Sequence, residues 1–108
     1  MDKWVAFSAA RIDEDEHFAK TAHRLARKHR EQMLREVAFK RAVLAMHMPE
    51  PFWGNNPPRL RDRTPENAVA WHCQCQCPDG MIEGTYPCET ARLLAAIWDG
   101  HPDYPGDR

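Results

Sequence analysis

Residues 21–48 constrain the fold of this chain more than any other segment. They contain neither Gly nor Pro and few β-branched residues, so they predict a continuous helical stretch that ends at Pro49 and Pro51. Apolar side chains recur along the stretch at helical spacing and fall on one broad face. These are Ala22, Leu25, Ala26, Met33, Leu34, Val37, Leu44 and Met48.

A further helical segment is predicted over residues 2–25, with Asp2 as a suitable N-cap. Its residues at helical spacing are Trp4, Val5, Ser8, Ile12 and Ala19. The acidic run at residues 13–16 either lies in solvent on this segment or marks a break in it. The pattern leaves two arrangements open, one long helix or a helical hairpin bent near His17 or His29.

Three larger apolar residues, Phe39, Val43 and Met46, lie off the main apolar face of the long stretch. They indicate that this helix is covered on a second side. The cover is either the remainder of the chain, since a central helix in a small protein is buried on several sides, or another subunit.

The composition changes at Pro49, and the following segment is expected to be less regular. Residues 49–68 are rich in Pro, Asn, Arg and Asp, so they predict an extended linker anchored by Phe52 and Trp53. Residues 69–86 predict a short β-hairpin or knuckle whose turn lies at residues 79–80.

The end of the chain completes the predicted fold. Residues 88–98 predict a short helix, because Pro87 precedes them and Gly100 follows, and residues 101–105 are expected to be extended. A chain of 108 residues fits one domain. The prediction is therefore a mainly α domain over residues 1–108: a long N-terminal helix or helical hairpin (2–48), a linker (49–68), and a cysteine knuckle with a C-terminal helix (69–108).

All four cysteines of the chain lie close together, at Cys73, Cys75, Cys77 and Cys88. In a reducing compartment such clustering favours a metal site over disulfides, and neighbours two apart would close only small strained loops. Zinc takes four tetrahedral ligands from Cys and His, and a knuckle followed by a thiolate at a helix N-terminus supplies them. The sequence therefore predicts a structural Zn²⁺ site formed by these four cysteines.

The spacing C-x-C-x-C differs from the usual C-x-x-C of a zinc knuckle. Three thiols on a straight strand lie too far apart for one ion, so a turn at residues 75–78 is required. Alternatively, only two of the three bind the ion, and His72, His47 or His101 completes the ligand set. Free buried thiols and a disulfide are the competing interpretations.

No catalytic arrangement accompanies the cysteines. The carboxylates Asp79, Glu83 and Glu89 do not form an H-x-E motif with P-C-x-x-C, and Ala91 stands where the second thiol of that motif would fall. A catalytic zinc also keeps one coordination position open for water. We therefore do not expect an enzyme.

Charge gives a second candidate site. The net charge of −1 argues against a globally basic nucleic-acid-binding protein, but residues 20–41 are locally basic. The candidate phosphate contacts are Lys20, Arg24, Arg27, Lys28 and Arg35. The simpler interpretation is a solvated helix face on which Arg27 and Glu31 pair.

The segment at residues 1–7 lacks the pattern of a signal peptide, and no apolar run is long enough to span a membrane. A cytoplasmic protein that does not act at a membrane is therefore expected.

Four segments carry a resemblance to a known family. They are RIDEDE at residues 11–16, LREVAFKR at 34–41, YPCETARLLA at 86–95 and HPDY at 101–104. In order and approximate spacing they resemble a family of small uncharacterised proteins from actinobacteria and their phages. The resemblance implies such an origin and supplies no activity.

The sequence thus favours an accessory protein that binds another macromolecule. A protein partner is expected, either a different protein or a second copy in a homodimer, because Phe39, Phe52 and Trp53 offer apolar surface and no catalytic set is present. The alternative is a nucleic-acid-binding protein that uses residues 20–41.

Overall fold

The computed structural model describes residues 2–74 and 86–106. Its elements are the helices α1 (Lys3–Thr21) and α2 (Arg27–Met46), the strand β1 (Pro49–Phe52), two 3₁₀ turns (Leu60–Asp62 and Pro65–Asn67), the strand β2 (Ala70–Cys73) and the helix α3 (Glu89–Ala96). The predicted class is confirmed: the protein is mainly α, with a two-stranded antiparallel hairpin and a C-terminal helix. None of the described helices is both long and apolar enough to cross a membrane.

The two N-terminal helices form a hairpin and not one long helix. α1 ends where Ala22 adopts an extended conformation, and α2 begins after Ala26, which is extended as well. The Arg30 guanidinium donates a hydrogen bond of 2.7 Å to the Ala22 carbonyl and so closes the bend. The bend at residues 22–26 therefore lies between His17 and His29, in a segment whose apolar spacing predicts continued helix.

The acidic run at residues 13–16 lies within α1 and marks no break. Arg41 on α2 donates to Asp13 at 2.9 Å and to Glu16 at 3.1 Å. Lys40 lies 3.7 Å from Asp15 in a third ion pair between the helices. These pairs connect the second half of α1 with the second half of α2. At the start of α1, the predicted cap is confirmed, since the Asp2 carboxylate accepts from the Trp4 and Val5 amides.

α3 packs across the hairpin and connects two clusters of buried side chains. One cluster consists of Ile12, Val37, Leu44 and Leu94. The other consists of Val5, Cys73, Tyr86, Cys88 and Ala91. Apolar residues of α3 are therefore buried against both N-terminal helices, and the second cluster contains two of the predicted metal ligands.

Residues 49–52, predicted as part of an extended linker, form the strand β1 and pair with β2. Pro49 lies opposite Cys73, and Phe52 lies opposite Ala70. Pro49 and Pro51 lack an N–H, but residues two apart direct their backbone groups to the same side of a strand, so the other side still pairs. The described partner of β2 is thus β1, whereas the predicted turn at residues 79–80 lies outside the described residues.

The remainder of the linker is anchored by Trp53, as predicted. Its indole N–H donates to the Thr64 carbonyl and to the Asn67 side chain, and the Arg63 guanidinium lies over its ring. Phe52 is half-buried and contacts the His72 ring. These two aromatic residues therefore make internal contacts, which removes them from the apolar surface expected to bind a partner.

The tail makes turns and is not extended as expected. The Tyr104 amide donates to the His101 carbonyl at 3.0 Å, and the His101 amide donates to the Trp98 carbonyl at 2.9 Å. The turns place the rings of Trp98, His101 and Tyr104 against Phe7 on α1. Burial of these aromatic contacts explains why a Pro-containing tail folds back on the protein.

The expected cover on the second side of α2 is absent within the described residues. Phe39 is 69% exposed and Met46 is 63% exposed, whereas Val43 is half-buried beside Leu44 and Leu94. α3 therefore covers only the part of α2 nearest to Val43. The interpretation that the remainder of the chain buries this helix is therefore wrong for Phe39 and Met46, and cover by another subunit stays a prediction.

Candidate metal centre

Cys88 occupies the position that the sequence predicts for it, at the start of the C-terminal helix. It is the N-cap of α3, and its sulfur accepts a hydrogen bond from the Ala91 amide at 3.5 Å. The helix dipole and this N–H group both favour a negative charge on the sulfur. The residue is fully buried, so any ion bound there is shielded from solvent on that side.

Two further candidate ligands meet Cys88 from separate elements. Cys73 is the last residue of β2 and is fully buried. His47 follows α2 directly and directs its Nδ1 atom toward both sulfurs, 3.4 Å from Cys73 Sγ and 3.5 Å from Cys88 Sγ. The three ligand atoms all lie within 4.8 Å of one another.

These distances fit a tetrahedral ion. With metal–sulfur bonds of about 2.3 Å and metal–nitrogen bonds of about 2.0 to 2.1 Å, a tetrahedron places sulfur and nitrogen roughly 3.5 Å apart. Both nitrogen–sulfur distances match that value. The His47, Cys73 and Cys88 group therefore has the geometry to hold a metal ion.

Apolar side chains and one phenol surround the group. Val5 and Ala91 are buried against the two cysteines, with Trp4 and Met48 packed beside them. The Tyr86 hydroxyl donates a hydrogen bond of 2.7 Å to the carbonyl oxygen of His47. Burial raises the pKa of the Tyr86 phenol above its ordinary value, and the nearby charges of Asp2, Cys73 and Cys88 act in the same direction.

Of the other predicted ligands, Cys75 and Cys77 lie outside the described residues. His72 is adjacent to Cys73 but is not part of the group, because consecutive residues of a strand direct their side chains to opposite faces. His101 contacts Arg11 through its ring and accepts from the Asp103 amide. The reserve ligand that the structure brings to the cysteines is thus His47.

Sequence reasoning named His47 only as a reserve ligand and did not identify Tyr86 at all. His47 is 26 residues from Cys73 and 41 residues from Cys88, so no local spacing motif connects them. The one available signal for Tyr86 is its position two residues before Cys88. Both residues contribute through contacts that only the tertiary structure creates.

The predicted phosphate contacts are divided between paired and exposed residues. Lys20 lies 3.7 Å from Glu16, and Arg27 lies 3.2 Å from Glu31. Arg24, Lys28 and Arg35 are exposed. The five cations therefore do not act as one uncompensated basic surface.

Comparison with known proteins gives a family without an assigned role. The model of a family of unknown function, DUF6221, matches residues 1–107. No curated protein and no solved structure matches the chain.

Proposed function

We propose that this chain, which belongs to the DUF6221 family of unknown function, is a small zinc-stabilised accessory protein that binds another protein. The observation that carries the proposal is the convergence of His47, Cys73 and Cys88 from three separate elements. A metal ion there connects the end of α2, the end of β2 and the start of α3. In a small chain, metal binding of this kind is a large part of the folding free energy.

The ligand chemistry favours zinc over the common alternatives. Thiolate and imidazole ligands suit Zn²⁺, whereas Mg²⁺ and Ca²⁺ take oxygen ligands. The complete burial of Cys73 and Cys88 supports a structural ion, because a catalytic zinc needs an open position for water. The sequence offers Cys75 or Cys77 as the fourth ligand. We accordingly propose no enzymatic activity.

The proposed binding surface is the outer face of α2, formed by Lys28, Arg35, Phe39 and Met46. Their spacings of seven, four and seven residues place them on one stripe of the helix. The stripe is basic toward the start of α2 and apolar toward its end. A protein surface that is acidic at one end and apolar at the other complements it in both respects.

Metal content tests the first half of the proposal. We expect one zinc per chain by elemental mass spectrometry, and thiols that react only after a chelator removes the ion. A purified chain that contains no metal and whose four thiols react freely would reject the zinc site. Reconstitution with zinc under reducing conditions guards against loss of the ion during purification.

Position-dependent cross-linking tests the second half. A photoreactive amino acid at residue 39 is expected to form an adduct in cells, and the same group at Leu60 serves as a control because Leu60 is 78% exposed but lies outside α2. An adduct that joins this chain to a different protein, and that a protease degrades, supports the proposal. An adduct of twice the chain mass indicates a homodimer, and equal labelling at both positions contradicts a specific surface.

The alternative function, nucleic-acid binding, uses the same outer face of α2 but predicts a different result. If α2 binds phosphates, Lys28→Glu and Arg35→Glu abolish a low-salt mobility shift of labelled DNA or RNA, and the affinity falls steeply with salt. The pairing of Lys20 and Arg27 with acidic neighbours disfavours this alternative. Absence of any shift at low salt would exclude it.

A further inference from the structure

Tyr86 makes contacts with each of the three segments that carry the candidate ligands. Its hydroxyl donates to the His47 carbonyl at 2.7 Å, and its amide donates to the Trp71 carbonyl of β2 at 2.9 Å. Two residues later, the same segment supplies Cys88. The side chain is 8% exposed and packs in the cluster that contains Cys73 and Cys88.

The hydroxyl acts on the carbonyl of a residue that α2 holds through its amide, which donates to the Leu44 carbonyl at 3.1 Å. His47 is the C-cap of α2, with φ −124° and ψ 47°, so it has left the helical conformation. The last carbonyls of a helix have no partner within the helix and need one elsewhere. Tyr86 supplies that partner at the residue whose imidazole faces the two sulfurs.

We propose that Tyr86 is a positioning residue for the metal centre, which sets metal affinity by holding the His47 backbone in the orientation that directs Nδ1 at Cys73 and Cys88. This inference rests on the proposed zinc site. The hydrogen bond removes rotational freedom from His47 before an ion arrives, so less entropy is lost on binding. Groups that orient metal ligands in this way contribute substantially to affinity.

The test is Tyr86→Phe, which deletes the hydroxyl and keeps the buried ring. Tyr104→Phe is the matched control, because Tyr104 is the other tyrosine of the chain and its ring packs on Trp4 and Phe7. Each apo protein is titrated anaerobically with Co²⁺, whose thiolate charge-transfer and d–d bands report the ligand set. Zinc affinity then follows from competition with the bound Co²⁺.

We expect Tyr86→Phe to weaken Co²⁺ and Zn²⁺ binding about tenfold and to alter the d–d bands, whereas Tyr104→Phe leaves both unchanged. The melting temperature of the apo form should change little, so that the added stability of the metal-bound form is what decreases. A purely structural role for Tyr86 would instead lower the melting temperature of the metal-bound form while the d–d bands stay unchanged.

The outcomes separate this inference from the proposed function. If the unsubstituted protein develops Co²⁺–thiolate bands and Tyr86→Phe binds with the same affinity and spectrum, the positioning role is overturned and the metal site stands. If the unsubstituted protein takes up neither Co²⁺ nor Zn²⁺, the metal site and the positioning role are both overturned.

Discussion

The α1–α2 hairpin and the segments that carry the candidate metal ligands are held together by different kinds of contact. In the hairpin, Ile12 packs with Val37 and Leu44, and several ion pairs such as Asp13 with Arg41 also connect the two helices. The ligand-bearing segments instead meet at one point, where His47 lies beside Cys73 and Cys88. Removing one contact should therefore destabilise the hairpin only slightly, because many other contacts remain. Removing one candidate ligand should destabilise the other region strongly.

The difference also has an entropic origin. His47 and Cys73 are separated by 26 residues, a distance that includes only two short 3₁₀ turns and the two strands. Closing such a loop costs conformational entropy, and the pairing of two four-residue strands is too weak to offset that cost. An ion that binds both ends offsets this cost directly. The two regions should accordingly respond differently to metal removal, and the following predictions test that contrast.

The largest expected effect is that of Cys88→Ser. Serine is itself a good N-cap, so the substitution preserves the start of α3 and removes a metal ligand. We expect a loss of about 4 kcal/mol or more in the unfolding free energy of the metal-bound protein, as is typical when a metal site is lost. Far-UV circular dichroism should retain much of the hairpin signal while the tertiary signal of the C-terminal half disappears.

Chelation of the unsubstituted protein is the control for Cys88→Ser and should reproduce its effect. A Cys88→Ser protein whose melting curve equals that of the metal-bound form would contradict the contrast between the two regions, because the ligand-bearing half would then be stable without its ion.

Leu94→Ala should have the next largest effect and should act on both regions. Leu94 is 7% exposed and joins α3 to the buried side chains of α1 and α2. Truncation of a buried leucine costs about 2–5 kcal/mol through lost contacts and a cavity. Because the apo protein is expected to lose the tertiary structure around α3, Leu94→Ala should lower the unfolding free energy of the metal-bound protein by this amount and that of the apo protein much less in denaturant titrations. Leu93→Ala, at a 64% exposed neighbour, is the matched control and should be nearly neutral.

The same contrast explains how much of the molecule is predictable from its sequence. The α2 helix, the Asp2 cap and the placement of Cys88 at a helix start all follow from local patterns, and the structure confirms them. The strand that begins at Pro49 could not be predicted from local patterns, because its hydrogen bonds depend on a partner strand 24 residues away. For the same reason the sequence predicted His47 only as a reserve ligand and did not single out Tyr86, since the contacts of both residues are long-range.

A smaller effect is expected at the N-terminus of α1. Asp2→Ala removes the acceptor for the Trp4 and Val5 amides, which lie 2.8 and 3.2 Å from its carboxylate. Loss of an N-cap costs about 1 kcal/mol. Asp2→Asn keeps the acceptor and should restore most of that stability. Equal melting temperatures for Asp2→Ala and Asp2→Asn would show that the cap contributes nothing to the hairpin.

The smallest effect should come from Arg41→Gln, which tests whether the ion pairs between α1 and α2 contribute at all. The hydrogen bond from Arg41 holds the pKa of Glu16 below its ordinary value of 4.5, and the charge of Lys20 adds to this effect. A carboxylate with a lowered folded-state pKa contributes stability above its unfolded-state pKa and loses it as the pH falls through the folded-state value. Arg41→Gln should therefore lower the melting temperature slightly at pH 7.

That difference should vanish well below pH 4.5, where Glu16 is protonated in both proteins. It should also shrink with added salt, since the pair is exposed. Arg35→Gln, on the outer face of the same helix, is the matched control. A deficit that persists unchanged at low pH would mean that Arg41 stabilises the hairpin by packing its aliphatic stem. In that case both regions depend on buried contacts. The hairpin would then be stabilised by packed side chains and the ligand-bearing segments by the proposed metal ion.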